Sequence, residues 1–113
     1  MSFLYDLHVH TSEVSPCGQI PAAEMVELYA EAGYAGIAIT DHYYDGYFQT
    51  ISGTWGDQVE RYLQGYKYAR KRGEELGLDV LLGLELRFAD NPEDFLVYGV
   101  DEEFLHAFPR LFN

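Results

Sequence analysis

The chain has 113 residues, about the length of one small domain. A complete eight-stranded α/β barrel is excluded, because it needs roughly 250 residues. Seven Lys and Arg against nineteen Asp and Glu give a formal net charge of −12, which disfavours a general affinity for nucleic acid or anionic membranes. The 48% hydrophobic content excludes a disordered acidic tail and predicts a globular core.

Cysteine content and the N-terminus indicate a compartment. Cys17 has no second cysteine with which to form a disulfide, and small secreted domains usually need several. Residues 1–10 carry Asp and His within their apolar run and do not resemble a signal peptide. No apolar stretch approaches the roughly 20 residues that span a bilayer. We therefore expect a soluble, acidic, cytoplasmic protein with no membrane association.

The first part of the chain predicts a strand, a helix and a second strand. Residues 3–9 are β-prone and lead into a polar turn at 11–18. A helix is expected to begin at Pro21 and to stop at Gly33. The short apolar run 35–40 is typical of a strand that is covered on both faces of a parallel sheet. Together these elements form a βαβ unit.

The next segment, 41–56, is rich in aromatic residues and glycine and is expected to be a long loop. Long loops in compact domains are usually functional. Two interpretations stay open: a wall or lid of a substrate site, or a packing layer over the barrel mouth. The side chains concerned are Tyr43, Tyr44, Tyr47, Phe48 and Trp55.

The last part of the chain predicts a helix, two strands and a short terminal helix. Asp57 and Glu60 have capping-box-like spacing and open a helix that runs to Leu76. Strands are predicted at 80–86 and 95–100. No linker or repeat divides the chain, so residues 1–113 are treated as a single unit. A solvated face explains the basic residues of the helix better than a phosphate-binding patch does; they are Arg61, Lys67, Arg70, Lys71 and Arg72.

Two histidines on the first predicted strand are candidate metal ligands. His8 and His10 are two residues apart, so alternation places their side chains on one face, which Asp6 shares. Leu7 and Val9 are expected to point the other way, toward a helix layer. Paired neutral imidazoles suit a divalent transition metal. The alternative is a pair of half-buried histidines hydrogen-bonded to backbone.

Further candidate ligands follow the next two predicted strands. Asp41 and His42 come directly after the second strand, and Glu85 ends the third. A carboxylate after an apolar run is costly unless it is paired or bound to a metal. Ligand sites in parallel α/β folds form at the carboxyl ends of strands. Because these residues all fall there, the sequence predicts a metal site.

These motifs resemble those of a known family. Asp-Leu-His-Val-His-Thr at 6–11, Ile-Thr-Asp-His at 39–42 and Gly-Leu-Glu-Leu at 83–86 are similar, in order and spacing, to the first three motifs of the polymerase and histidinol phosphatase (PHP) family. The similarity runs from about residue 3 to about residue 100. It implies an α/β fold, the N-terminal part of a distorted seven-stranded (β/α) barrel with parallel strands and flanking helices.

The resemblance also implies roles for the candidate residues. One to three divalent ions (Zn, Mn or Fe) would be held by His8, His10, His42 and Glu85, with the glutamate bridging two ions. Asp6 and Asp41 are the motif residues expected to contribute to catalysis by orienting the imidazoles. The implied reaction is hydrolysis of a small phosphate monoester or diester by metal-activated water, with no role for a nucleophilic side chain.

The chain also departs from the family pattern. Members supply further histidines and a final Asp-x-His from later strands, and many have a third histidine in the early loop; this sequence has neither. We therefore expect a domain truncated on its C-terminal side. Cys17 is a possible soft ligand, but a packed or exposed thiol is the preferred interpretation. His106 is interpreted as a surface histidine.

Two functional hypotheses follow. The first is a PHP-type phosphoesterase that acts on a small phosphorylated substrate. The second is a catalytically incomplete half-barrel, a metal-binding or interaction module that needs a second copy of itself or a C-terminal half, because an unpaired strand edge invites pairing. A polymerase-associated exonuclease is disfavoured by the net charge of −12.

Overall fold

The structure is a computed structural model that describes residues 3–113. This part of the chain contains ten helices and strands. In chain order they are β1 (Tyr5–Val9), α1 (Ala22–Glu31), β2 (Gly36–Ile39), β3 (His42–Tyr43), α2 (Asp45–Gln49), α3 (Trp55–Tyr62), α4 (Gln64–Leu76), β4 (Asp79–Arg87), β5 (Asp94–Tyr98) and α5 (Glu102–Ala107).

The strands form one curled sheet of the expected α/β half-barrel type. β1, β2 and β4 lie side by side and parallel, and β3 continues the path of β2 along the second half of β4. β5 is the exception to the parallel arrangement, because it pairs antiparallel with β4. The six residues that connect β4 to β5 are too few for a parallel crossover, which takes a dozen or more.

The predicted βαβ unit is confirmed, with one local difference in β1. The pairing of β1 with β2 is irregular between Asp6 and Val9, and such a bulge changes the direction of the neighbouring side chains. Val9 is buried beneath α1 as predicted, but Leu7 is 47% exposed. Asp6 does not share the face of the histidines; it accepts a hydrogen bond from Tyr29 of α1.

The prediction of a long loop at 41–56 is wrong. This segment contains β3, α2 and the start of α3, because its aromatic residues pack into the core. The helix that follows begins at Trp55 rather than at Asp57, and its capping box joins Thr54 to Asp57 instead of Asp57 to Glu60. The single predicted helix is also two helices, α3 and α4, which meet at Leu63.

Two buried clusters pack the sheet. One lies between β1, β2, β4 and the helices α1 and α4, and includes Val26, Ile37 and Ile39. The other is aromatic, and in it Tyr43 and Phe48 are fully buried. Of the two interpretations of the aromatic segment 41–56, packing therefore holds for these two side chains. No helix within residues 3–113 has the length and apolar character needed to cross a membrane.

The start of α4 packs directly against the turn after β1. A Cβ added at Gly65 would lie 2.0 Å from Thr11 Oγ1 and 2.9 Å from Asp41 Oδ2. Since Thr11 is fully buried and donates its hydroxyl hydrogen to Asp41, it cannot move aside without losing that bond. Glycine at this position lets the helix approach the carboxyl ends of the strands.

We expect Gly65→Ala to lower the free energy of unfolding by about 1–3 kcal/mol, as overpacking does. In an open helix the same change would stabilise by about 1 kcal/mol. Gly56→Ala in α3 is the control, because the nearest atoms to its added Cβ are at 3.6 Å or beyond. Urea denaturation measures both variants. A Gly65→Ala protein as stable as the unmodified chain would contradict this packing.

Candidate metal centre

The four predicted ligands come together at the carboxyl edge of the sheet. His8 lies in β1 and His10 follows it, His42 begins β3, and Glu85 lies in β4 directly opposite His42. His8 Nε2 is 2.5 Å and His10 Nε2 is 3.1 Å from Glu85 Oε1. His42 Nδ1 is 2.9 Å from Glu85 Oε2. The parallel strands thus bring three imidazoles around one carboxylate.

This donor set fits a first-row divalent ion. The Glu85 side chain is only 8% exposed, and a buried carboxylate is costly without a cation or a full set of hydrogen bonds. Ligands about 2.0–2.2 Å from one tetrahedral ion stand roughly 3.4 Å apart. The nitrogen–oxygen distances around Glu85 are 2.5–3.1 Å, so the side chains would move slightly apart to admit an ion. Imidazole nitrogen and carboxylate oxygen are ligands of zinc, iron and manganese.

Electrostatics favours the metal-binding form of His42. Burial lowers the pKa of this imidazole and His10 lowers it further, while the negative charge of Glu85 acts in the opposite direction. The net shift is downward, toward the neutral ring. A neutral imidazole keeps the lone pair that a metal ion requires.

Cys17 lies beside this cluster, although the sequence favoured a packed or merely exposed thiol. The side chain is exposed, but its Sγ is 3.1 Å from His10 Nδ1 and 3.4 Å from His42 Nε2. His10 and His42 therefore each present one ring nitrogen to Glu85 and the other to the thiol. The position of Cys17 in the turn directly after the His-x-His motif was the signal in the sequence.

Asp41 is buried among hydrogen-bond donors, and no imidazole of residues 3–113 is one of them. Its Oδ1 accepts from the Thr11 backbone at 2.7 Å and from Ser15 Oγ at 2.8 Å, and its Oδ2 accepts from Thr11 Oγ1 at 2.8 Å. Burial raises its pKa to about 6, although the bonds from Thr11 and Ser15 act to lower it. Asp41 thus fixes the turn between His10 and Cys17.

Asp6 acts on the backbone of a candidate ligand. Its Oδ1 accepts from the His8 N–H at 3.1 Å, and its Oδ2 accepts from the Tyr29 hydroxyl at 2.5 Å. Burial and the bond to Asp6 raise the pKa of Tyr29 above its ordinary value. Like Asp41, Asp6 makes no hydrogen bond to an imidazole ring within residues 3–113, and the predicted catalytic role of both stays a prediction.

Sequence reasoning missed Asp94 and Arg87. The antiparallel register places Asp94 opposite Arg87. The Asp94 carboxylate is also a third candidate ligand beside His42 and Glu85, because the ligand atoms of these three residues lie within 4.8 Å of one another. Arg87 binds it through two bonds, Nε to Oδ1 at 2.8 Å and Nη2 to Oδ2 at 3.1 Å. Without the β5 register, which depends on tertiary packing, the sequence gives no signal for this pair.

A cleft of about 240 Å³ opens beside the cluster. Among the described residues, Arg87 is the one basic side chain that lines it. Tyr44, from the aromatic segment, forms part of its wall. Tyr44 is therefore placed where the wall interpretation requires, although its role toward a substrate stays a prediction, while its neighbour Tyr43 belongs to the core. The cleft is large enough for a phosphate group and a small substituent.

His106 lies outside the cluster. It is 38% exposed, and its Nε2 is 2.7 Å from Glu60 Oε2. The surface interpretation agrees with this exposure, with the addition of a carboxylate partner that the sequence pattern did not indicate.

Comparison with known proteins identifies the family. The profile of the PHP domain matches residues 6–108, which include all four predicted ligands. The chain belongs to the PHP domain family. No curated protein matches this PHP chain.

Two solved structures are similar to this PHP chain. A candidate metal-dependent phosphoesterase of Bifidobacterium adolescentis has 28% identity and a TM-score of 0.53, over 81% of this chain and 25% of its own. The second is a two-domain protein of Bacteroides vulgatus that contains a predicted PHP-like metal-dependent phosphoesterase. It has 21% identity and a TM-score of 0.61, over 89% of this chain and 30% of its own. The second likeness concerns the fold alone. The PHP chain thus spans less than a third of either protein.

We expect the PHP chain, purified without chelator, to contain zinc, manganese or iron. Replacing His8 and His10 together by alanine should lower the bound metal at least ~10-fold, because even residues that only support ligands are worth that much affinity. His106→Ala removes a histidine outside the cluster and should keep the full metal content. Elemental analysis compares the three proteins. Equal metal in the double variant and the unmodified chain would reject the assignment.

Proposed function

We propose that this chain carries the metal site of a phosphoesterase that hydrolyses a small phosphate monoester or diester. The observation that carries the proposal is the convergence of three imidazoles on Glu85 beside a cleft with one arginine. Membership of the PHP family and the description of the Bifidobacterium protein as a candidate metal-dependent phosphoesterase support the same chemistry.

The proposed ligands are His8, His10, His42 and Glu85, for one to three ions of zinc, manganese or iron. The two oxygens of Glu85 face different imidazoles, an arrangement that suits a ligand shared between ions. Bound divalent metal would supply activation of water and stabilisation of the charge that develops on the phosphate. The protein holds the ligand rings in place and excludes solvent from the carboxylate.

Arg87 is the proposed contact for the substrate phosphate. Its guanidinium already holds a carboxylate, Asp94, in a two-bond arrangement, and the same fork matches two phosphate oxygens. In the free protein Asp94 keeps the guanidinium fixed at the edge of the cleft. A phosphate that enters the cleft would share or replace this carboxylate partner.

Asp6 and Asp41 are proposed as positioning residues for catalysis. Asp6 holds the backbone N–H of His8. Asp41 holds the turn that follows His10 and, through Ser15 Oγ, the backbone N–H of His42, which donates to that same oxygen at 3.1 Å. Each carboxylate therefore acts on a ligand through the main chain rather than through the ring.

The charge distribution favours a small substrate over a nucleic acid. Five of the seven Lys and Arg residues lie on α3 and α4. Among the Lys and Arg residues that the structure describes, only Arg87 lines the cleft. A net charge of −12 repels a long polyanion. We also propose a cytoplasmic location, which the single free thiol of Cys17 supports.

The second candidate is a half-barrel module that needs a second copy or a C-terminal half. Large apolar side chains are exposed on three strands of the sheet: Leu7 is 47%, Leu81 is 42% and Leu96 is 42% exposed. Such groups mark surfaces that another chain or segment covers. Both hypotheses retain the metal ligands and differ in whether this chain turns over substrate alone.

We expect the zinc-, manganese- or iron-loaded chain to hydrolyse p-nitrophenyl phosphate or bis(p-nitrophenyl) phosphate, and a chelator to abolish the reaction. Glu85→Gln should lower kcat/KM at least ~100-fold, since its loss removes a ligand rather than a residue that supports one. Glu60→Gln is the isosteric control, because Glu60 contacts His106 and Lys67 away from the cluster, and should leave the rate unchanged.

Light scattering on the same samples separates the two candidates. A metal-loaded monomer that hydrolyses either ester supports the phosphoesterase. A metal-loaded monomer without turnover would reject that activity for this chain and favour the incomplete module. Activity confined to a dimer would show that a second copy completes the site.

A further inference from the structure

The thiol of Cys17 lies against two imidazoles of the candidate site. Its Sγ lies within 3.4 Å of two ring nitrogens, His10 Nδ1 and His42 Nε2. A thiol is a weak donor and a weak acceptor, so these two contacts contribute little as hydrogen bonds. The two sulfur–nitrogen distances are near the roughly 3.5 Å that separates sulfur and nitrogen ligands of one tetrahedral ion, and the ligand atoms of the three residues all lie within 4.8 Å of one another.

The turn that carries Cys17 is held by groups outside this triad. Ser15 donates its hydroxyl hydrogen to Asp41 and accepts from the His42 backbone N–H. Gly18 donates its N–H to the Ser15 carbonyl at 3.0 Å, and a Cβ at Gly18 would lie 2.6 Å from the Thr11 carbonyl oxygen. The thiol is thus held against the imidazoles by the main chain on both sides.

We infer that Cys17 is a thiolate ligand of the metal site, bound together with His42 and His10. The inference rests on the proposed function, because His10 and His42 also belong to the Glu85 cluster. The thiol faces the opposite nitrogen of each ring, so its ion would be distinct from the one beside Glu85. On binding, the S–H bond breaks, a metal–sulfur bond forms and the proton passes to solvent. A nitrogen and sulfur set favours zinc, cobalt or iron over manganese and magnesium. Cys17 therefore selects which metal the site retains.

Cobalt(II) titration of the unmodified chain tests this ligand directly. We expect the near-ultraviolet charge-transfer absorption of a cobalt–thiolate bond to appear in step with cobalt binding. Cys17→Ser should lose that absorption and lower zinc affinity at least ~10-fold, with a smaller loss for manganese. Ser12→Ala, an exposed change in the same turn, is the matched control and should keep both properties.

Alkylation of the unmodified protein by iodoacetamide gives a second readout that needs no variant. Zinc should suppress alkylation of Cys17, because a coordinated sulfur is withdrawn from the reagent. Cobalt that binds without the thiolate absorption, or zinc that leaves alkylation unchanged, would overturn the inference while the histidine and glutamate site stands. A chain that binds neither cobalt nor zinc would overturn both the inference and the proposed function.

Discussion

The buried carboxylate of Asp41 is the constraint on which the rest of the site depends. Its two oxygens hold Thr11 and Ser15, so the turn after β1 is tied to the end of β2. The carbonyl oxygen of Asp41 accepts from the Tyr62 hydroxyl at 2.6 Å and from the Glu85 N–H at 3.0 Å. One residue therefore connects the turn, α3 and β4 at the place where the candidate ligands meet.

Asp41 and Glu85 are both buried carboxylates, and their surroundings give them different uses. Asp41 accepts three hydrogen bonds from the main chain and from hydroxyl groups, so these bonds occupy most of its acceptor sites. Glu85 faces three imidazoles, and a neutral imidazole can offer a lone pair to a metal ion in place of a proton to the carboxylate. A divalent ion would bind these lone pairs and offset the buried negative charge of Glu85. A fold that fixes one carboxylate with hydrogen bonds can hold the second ready for metal.

The candidate ligands predicted from the sequence are the residues that regular secondary structure places. His8, His42 and Glu85 could be predicted because parallel strands end at a common edge, and Val9 because of strand alternation. Asp6 was misplaced, since an irregular pairing in β1 interrupts that alternation. The capping box starts at Thr54, three residues before the predicted position, because Asp57 is its second member and not its first.

The remaining parts of the site depend on tertiary contacts that local patterns do not encode. Cys17 reaches the imidazoles only because Asp41 and Ser15 fold the turn back on β2. Asp94 and Arg87 meet only because β5 returns antiparallel after a short connection. The aromatic segment looked like a loop, since its apolar side chains follow neither a helical nor a strand period, yet Tyr43 and Phe48 form the centre of a core.

X-ray diffraction from crystals of the zinc-loaded protein, recorded at the zinc absorption edge, tests the central claim most directly. The account predicts an anomalous difference peak within coordination distance of Glu85 and of at least two of His8, His10 and His42. Anomalous peaks found only elsewhere on the surface, in a crystal whose protein contains zinc, would contradict it.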